Sequence, residues 1–192
     1  MKVIAIGGNP GSGKSTLMKK ILELIGASKD SKQLYELVPG HTAGPLITAY
    51  HPSIIVLGKY DEDVGVFGGT DKMSMAVMPK AMEFLKTKPA DVIIFEGDRL
   101  FAASFLEFCT EISDLSIIHL ETTKDIREQR YRDRGSNQNK TWLEGRETKI
   151  SNIMTNMMLM DYVTSLPNNT IEEQAEIISL VQTKIKDKHY AN

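Results

Sequence analysis

Close to its start the chain reads Gly8-Asn9-Pro10-Gly11-Ser12-Gly13-Lys14-Ser15, which fits the pattern G-x-x-x-x-G-K-S/T. The run before it, Val3 to Ile6, is short, apolar and rich in β-branched residues, which is typical of a buried strand. After it, apolar residues recur at helical spacing from Leu17 to Ile25. A strand, a glycine-rich loop and a helix together aim backbone N–H groups and a helix N-terminus at a polyphosphate. The stretch therefore predicts a phosphate-binding loop.

The residue types in this loop match the parts of a nucleoside triphosphate. The three glycines leave room for the backbone to wrap the phosphates, and Lys14 supplies a charge to the β- and γ-phosphates. The hydroxyl of Ser15 can hold Mg²⁺. The residues predicted to bind the nucleotide are Gly8, Asn9, Pro10, Gly11, Ser12, Gly13, Lys14, Ser15 and Thr16. We expect the chain to bind ATP with Mg²⁺, and Lys14 to act in catalysis as well.

Length and composition restrict the other possibilities. A chain of 192 residues is expected to form a single domain, residues 1–192, with a substantial core. The net charge of -2 gives no global attraction to nucleic acid or membrane, so an anionic partner must meet a local patch. The single cysteine, Cys109, cannot form an internal disulfide, and no apolar run approaches the length of a membrane span. These features predict a cytoplasmic protein.

Strand patterns alternate with helical ones along the chain, which predicts a mostly parallel sheet with helices on both faces. The strand patterns lie at Leu34–Val38, Leu46–Tyr50, Ser53–Gly58, Val92–Phe95, Leu115–Leu120 and Tyr162–Leu166. In such sheets ligands bind beyond the carboxyl ends of the strands. The phosphate-binding loop, the acidic loop around Asp61 and the segment Glu96–Arg99 should therefore share one rim.

Local patterns also predict where two later helices begin and what is buried. Thr141 with Glu144, and Thr170 with Glu173, have the form of capping boxes. The methionine-rich stretch 154–160 is interpreted as flexible core packing. The inner face of the last helix is expected to carry Ile171, Ala175, Ile178, Val181 and Ile185.

Acidic residues on the predicted rim are the candidates for metal binding and proton transfer. Glu96 ends the strand expected beside the first, so its carboxylate can reach Mg²⁺ or its waters; an unpartnered acid at a strand end is the alternative. A hydroxyl acceptor benefits from a base, and either Asp61 or Asp71 can fill that role unless both are solvated loop residues. Asp98 and Arg99 are predicted to meet the acceptor, although Arg99 can equally form a plain salt bridge.

A helix expected from Thr123 has a thin apolar side and a face rich in arginine. The arginines predicted to bind the nucleotide are Arg127, Arg130 and Arg134. We predict a lid, about residues 124–146, that closes over the phosphates, with Arg130 stabilising the transferring charge in cis. The interspersed acids of the same helix leave open an ordinary salt-bridged surface helix.

These motifs resemble those of a known family. The loop Gly8–Ser15 looks like that of adenylate kinase and its relatives, and Ile94–Arg99 resembles the acid–arginine motif of deoxynucleoside and nucleotide kinases. The segment Ile126–Gly135 is similar to their lid. The resemblance implies an α/β, three-layer P-loop fold with a five-stranded, mostly parallel sheet, and an ATP-dependent kinase. Lys59–Asp71 departs from it and matches no nucleoside-monophosphate pocket.

A narrower resemblance concerns the acceptor. Gly68–Ser74 together with Phe95–Phe101 looks like bacteriophage P-loop kinases that phosphorylate 5-hydroxymethyluracil within DNA during thymine hypermodification. This implies DNA as a partner and the host cytoplasm as the location. The basic residues expected to meet DNA phosphates are Lys140, Arg146 and Lys149. A free deoxynucleoside, a nucleotide or another small metabolite is the alternative acceptor.

Two non-kinase classes of nucleotide-binding protein are disfavoured. A GTPase should carry N-K-x-D for guanine, but the only Asn-Lys pair, Asn139-Lys140, continues with Thr141-Trp142. A motor-type ATPase or a regulatory nucleotide sensor would take its arginine from a neighbouring subunit, whereas this chain has an arginine-rich helix of its own.

Overall fold

The computed structural model describes residues 1–26, 33–36, 46–51, 53–61, 66–135 and 138–187. The strands are β1 (Lys2–Gly8), β2 (Gln33–Glu36), β3 (Leu46–His51), β4 (Ile54–Leu57), β5 (Lys59–Asp61), β6 (Val66–Gly69), β7 (Val92–Glu96), β8 (Asp114–Glu121) and β9 (Val163–Pro167). The helices are α1 (Lys14–Leu24), α2 (Val77–Lys86), α3 (Ala103–Ile112), α4 (Lys124–Asp133), α5 (Lys140–Met154) and α6 (Ile171–Lys186). Within the described residues, no helix combines the length and apolar character needed to cross a bilayer.

The main sheet has the strand order β2-β3-β4-β7-β1-β8-β9. Its strands β4, β7, β1, β8 and β9 are parallel, which confirms the predicted five-stranded parallel sheet. Strands β2 and β3 extend it at one edge as antiparallel neighbours. Because β1 lies between β7 and β8, the phosphate-binding loop leaves the middle of the rim.

Helices cover both faces of the sheet, as predicted, and each face has its own buried cluster. On one face, Val3 and Ala5 of β1 pack in a cluster to which α2, α3 and α5 contribute. On the other, Ile4 and Ile6 pack in a cluster with residues of α1 and α6. The alternation follows from the strand period of two, since successive side chains point to opposite faces.

The region after β4 differs from the sequence prediction. The expected acidic loop is a two-stranded hairpin of β5 and β6, in which Asp61 pairs with Val66. The glycines that end β6 lead into a 3-10 turn, Thr70–Lys72, and α2 begins only at Val77. Close packing explains the hairpin's glycines: a Cβ on Gly58 would lie 2.7 Å from the carbonyl carbon of Gly69.

One of the two capping boxes is confirmed. Thr170 accepts from the backbone of Glu173, whose side chain reaches back to the cap. The prediction at Thr141 is wrong, because the side chain of Asn139 already caps α5 by accepting from the N–H of Trp142 at 3.1 Å. Asparagine is among the best N-cap residues, so the helix begins earlier.

Two predicted burial patterns are confirmed only in part. On α6, Val181 is buried and Ile178 and Ile185 pack against the core, whereas Ile171 is 73% exposed and Ala175 is exposed as well. In the methionine-rich stretch, Met154 and Leu159 pack in the core, whereas Met157, Met158 and Met160 are exposed.

A pair of glycine substitutions tests the packing of β1. A Cβ on Gly7 would lie 1.9 Å from Cζ of the buried Phe101, whereas Gly145 in α5 has nothing within 4 Å. We expect Gly7→Ala to lower the free energy of unfolding by about 1–3 kcal/mol through overpacking. Gly145→Ala should raise it by about 0.4–1 kcal/mol, because alanine restricts the unfolded chain. Urea denaturation measures both, and equal effects would contradict this account.

Candidate functional site

The phosphate-binding loop has the backbone conformation that its glycines allow. The φ angles of Gly8, Gly11 and Gly13 are 148°, 79° and 91°, in the region that side chains with a Cβ rarely adopt. Gly13 is the N-cap of α1, and no side chain hydrogen-bonds to the helix at this cap. Because glycine has no side chain, the N-cap supplies no acceptor to the first N–H groups of α1, which suits an anion-binding helix N-terminus.

The carbonyl groups of the loop accept hydrogen bonds from side chains inside and outside the loop. Nζ of Lys14 donates to the carbonyl oxygens of Gly8 (2.8 Å) and Asn9 (3.2 Å). Nδ2 of the buried Asn168 donates to the carbonyl oxygen of Ser12 at 2.6 Å. Arg130 donates to the carbonyl oxygens of Gly11 (3.1 Å) and Asn168 (3.0 Å). The loop is thus held by its own lysine and by two residues from the other half of the chain.

A cleft of about 790 Å³ opens above this loop. It brings together residues predicted for three tasks: nucleotide binding, metal binding and acceptor binding. Its lining includes Pro10, Gly11, Gly13, Lys14, Ser15, Thr16, Asp71, Glu96, Asp98, Arg130, Tyr131, Asp133, Arg134, Gln138, Trp142, Asn169, Thr170, Ile171 and Gln174.

Glu96 is the most deeply buried acid of the cleft, at 2% exposure. The hydroxyl of Tyr60 donates to its Oε1 at 3.4 Å. Burial raises the pKa of Glu96 to about 7; the positive charge of Lys14 opposes this rise, and Asp71 adds to it. Burial lowers the pKa of Lys14, against the attraction of Glu96, Asp98 and Asp71. The charge of Lys14 and the charges of these carboxylates therefore influence one another's pKa values across the cleft.

Asp71 and Asp98 form the second part of the acidic side. The backbone N–H of Asp98 donates to Oδ1 of Asp71, whose pKa is raised by burial and by the charge of Asp98. The carboxylate of Asp98 pairs with Arg146 at 2.8 Å, and its carbonyl oxygen accepts from Nζ of Lys149 at 2.7 Å. Two of the three cations expected to meet DNA phosphates are thus engaged by one residue of the rim.

The two other predicted acceptor residues lie differently. Asp61 ends β5 opposite Val66, and its role stays a prediction. Arg99 follows β7 but is not among the residues that line the cleft. Its Nε is buried without a hydrogen-bond partner among the described residues, and its charge opposes part of the rise in the pKa of Asp71.

The three arginines predicted to bind the nucleotide lie on α4 or directly after it, and they occupy two different places. Arg130 and Arg134 line the cleft, and Nε of Arg134 donates to the carbonyl oxygen of Arg130 at 3.1 Å. Arg127 instead pairs with Glu147 of α5 at 2.7 Å, in a separate cleft of about 280 Å³ between the two helices. Burial and the charge of Arg134 lower the pKa of Arg130.

Three residues of the site were missed by sequence reasoning. Asn168 lies in the turn after β9, and a Cβ on Gly13 would approach its Nδ2 to 2.7 Å. Tyr60 lies on the hairpin that sequence patterns did not predict. Trp142 lines the cleft and is the only tryptophan of the chain, which was the one signal available for it.

The fold and the cleft together define a P-loop protein of the nucleotide-kinase type. Residues 1–165 match the sequence profile of the family described as P-loop nucleotide kinase 3, and the chain belongs to that family. A search of curated proteins gives no match.

Among solved structures, a gluconokinase from Sinorhizobium meliloti is similar over 96% of this chain and 95% of its own, with a TM-score of 0.48 and 11% identity. A shikimate kinase from Bacteroides thetaiotaomicron aligns over 97% and 99%, with a TM-score of 0.47 and 11% identity. An uncharacterised protein from Eubacterium ventriosum aligns over 94% and 98%, with a TM-score of 0.48 and 16% identity. Similarity at this level carries no inference about the substrate of this chain.

The raised pKa of Glu96 predicts a pH-dependent stability in the absence of nucleotide and metal. The folded protein holds the proton of Glu96 more tightly than the unfolded chain, whose value is 4.5. The contribution of Glu96 to the free energy of unfolding therefore falls as the pH rises from the unfolded value toward the folded value of about 7. The full difference is about 3 kcal/mol.

Glu96→Gln removes this titration, so we expect the variant to be more stable than the natural chain at about pH 8 and similar to it at about pH 4. Chemical denaturation in the presence of a chelator measures the difference. A constant difference across this pH range would contradict the burial argument.

Proposed function

We propose that this chain is an ATP-dependent phosphotransferase that moves the γ-phosphate to a hydroxyl acceptor, the 5-hydroxymethyl group of 5-hydroxymethyluracil in phage DNA. One observation carries the proposal: Lys14 and the carboxylates of Glu96, Asp71 and Asp98 line one cleft at the uncapped N-terminus of α1. Phosphoryl transfer depends on charge neutralisation and positioning, and this arrangement supplies both. Such an enzyme would act in the host cytoplasm.

The residues of the loop fit the triphosphate of ATP. The N–H groups at the start of α1 lack a side-chain cap, and a Cβ on Gly8 would lie 2.7 Å from Oγ of Ser12, so the loop can close around a ligand only with glycine there. Lys14 would exchange its bonds to the loop carbonyls for the β- and γ-phosphates.

Mg²⁺ is the metal that this site suits. The ion usually takes one or two protein ligands and fills the remainder with phosphate and water oxygens. Within the part of the chain described by the structure, no group of three or more His, Cys, Asp or Glu side chains could hold a metal. Ser15 and Glu96, which both line the cleft, would hold it together with the phosphates, and the ion would neutralise developing charge.

Arg130 and Arg134 would complete the donor site in cis. Both line the cleft, and Arg130 already reaches the loop backbone at Gly11. A guanidinium so close to the loop can stabilise charge on the transferring phosphate. We assign residues 124–146 as the lid of a single domain, in which the ion pair of Arg127 with Glu147 joins α4 to α5.

The contact between two separate stretches supports the proposed acceptor. Gly68–Ser74 and Phe95–Phe101, which together resemble the phage DNA kinases, meet where the N–H of Asp98 donates to Asp71. A Cβ on Gly97 would lie 2.8 Å from Oγ1 of Thr70, so the contact requires glycine. The two motifs form one wall of the cleft, on its acidic side.

A free deoxynucleoside, a nucleotide or another small metabolite is the second candidate acceptor, and one observation favours it. Arg146 and Lys149 are bound by Asp98, and Lys140 lies 3.7 Å from the carboxylate of Glu144, so each of the three cations predicted to meet DNA already has a partner. A small uncharged acceptor needs no such cations, whereas binding to DNA depends on them.

Transfer from radiolabelled ATP distinguishes these acceptors. We expect label to enter single-stranded DNA containing 5-hydroxymethyluracil, and little to enter the same DNA with thymine. Label in free nucleosides or nucleotides, but never in hydroxymethylated DNA, would refute the DNA acceptor and leave the kinase proposal intact.

The role of Lys14 is tested in the same transfer assay. Lys14→Ala should reduce transfer by about 10²-fold or more, because it removes charge from the transferring phosphate. Lys20→Ala, on the same helix, is the matched control and should have no effect.

The base is tested by changing each acid separately. Asp71 lines the cleft beside Glu96, so we expect Asp71→Asn to lower kcat by about 10²-fold or more while the KM for ATP stays nearly unchanged. Asp61→Asn tests the other assignment in the same assay. Normal turnover by both variants would show that catalysis depends on positioning alone.

A further inference from the structure

Trp142 is an unusual residue to find in the wall of a phosphate cleft. It is 39% exposed, it lies in the first turn of α5, and no other tryptophan occurs in the chain. Exposed tryptophans of this kind are common in binding sites, because the ring offers a large apolar surface at low entropic cost.

The surroundings of Trp142 fix its orientation. The guanidinium of Arg146, one turn further along α5, lies over the ring at 5.1 Å from its centroid. Arg146 in turn pairs with Asp98, whose N–H donates to Asp71. The indole is therefore connected by direct contacts to the acidic side of the cleft, with one face covered by an arginine whose charge Asp98 neutralises.

The topology separates this side of the cleft from the opposite one. Asp98 follows β7, whereas Asn169, Thr170 and Gln174 follow β9, and β1 with its phosphate-binding loop lies between them. A ligand whose phosphates occupy the loop can extend toward the β9 side, and a second ligand can approach from the β7 side. Trp142 belongs to the β7 side, where the acceptor carboxylates lie.

We propose that Trp142 is a stacking platform for the acceptor, and that the acceptor therefore presents a planar heterocyclic base beside its hydroxyl group. This inference rests on the proposed phosphotransfer. Arg146 lies over the indole, and Trp142 still keeps 39% of its surface exposed, which is where a base would stack. The class of acceptor is then a nucleobase, in a nucleoside or in DNA, rather than a sugar acid or another polyol.

Stacking answers a physical requirement of such an acceptor. A base that reacts within DNA must leave its stack, and a protein ring can replace the contacts that it loses. Stacking on an aromatic side chain is tolerant of sequence because every base has a π-face. Asp71 and Asp98 would then face the hydroxyl while the ring holds the base.

Intrinsic fluorescence tests the platform without any substitution, since Trp142 is the only source of tryptophan emission. The probes are two single-stranded oligonucleotides of equal length in which every position but one is abasic. At the remaining position the first carries 5-hydroxymethyluracil, and the second is abasic there as well. We expect quenching by the first and little change with the second. Equal responses to both would refute stacking. Quenching without any transfer of label would refute the phosphotransfer proposal and leave the platform standing.

Kinetics give the second measurement. Trp142→Ala should raise the apparent KM for the base-containing acceptor about ten-fold or more and leave the KM for ATP nearly unchanged. Trp142→Phe should recover most of the loss, because a smaller ring still stacks. Tyr162→Ala is the matched control, since Tyr162 is an aromatic residue of similar exposure, 38%, that does not line the cleft. If transfer proceeds and Trp142→Ala changes neither KM, or only that for ATP, the inference is wrong.

Discussion

The site depends on the direction of the peptide groups in the phosphate-binding loop. When N–H groups point into the cleft, the carbonyl groups of the same peptides must point away from it, and each buried carbonyl without a partner costs about 1–3 kcal/mol. Lys14, Arg130 and Asn168 donate to these carbonyl groups. Residues of α4 and of the turn after β9 are thereby tied to the loop, although they lie more than a hundred positions away in sequence.

Burial of charge is the second condition that shapes the cleft. Glu96 and Asp71 are both less stable as anions here than in water, and repulsion adds to the effect, from Asp71 on Glu96 and from Asp98 on Asp71. The positive charge of Lys14 offsets part of this penalty, as that of Arg99 does for Asp71. A site built in this way favours additional positive charge, which is why the same geometry suits a divalent cation with a polyphosphate.

The sequence was sufficient for the parallel sheet and the loop because both leave local signals. Apolar strands and helical periodicity identify β1 and α1 from a few neighbouring residues. The hairpin of β5 and β6 was missed because its contacts are with distant residues: Tyr60 bonds to Glu96. Asn168 was missed for the same reason, since a polar turn residue shows its role only when its partner, Ser12, is brought beside it. The predicted burial at Ile171 failed because helical spacing does not tell which apolar stripe faces the sheet.

The arginines predicted to bind the nucleotide show that residues of one sequence pattern can end up at different sites. Their spacing places them on one side of the helix, but α5 approaches part of that side and binds Arg127 through Glu147. The other two arginines predicted to bind the nucleotide, Arg130 and the C-cap residue Arg134, line the cleft. Since α5 also bonds to Asp98 through Arg146 and Lys149, the phosphate loop and the acidic rim are joined by one continuous path through α4 and α5. The helix that holds Arg130 against the loop, α4, is thus joined through Arg127 and Glu147 to α5, the helix that carries Trp142.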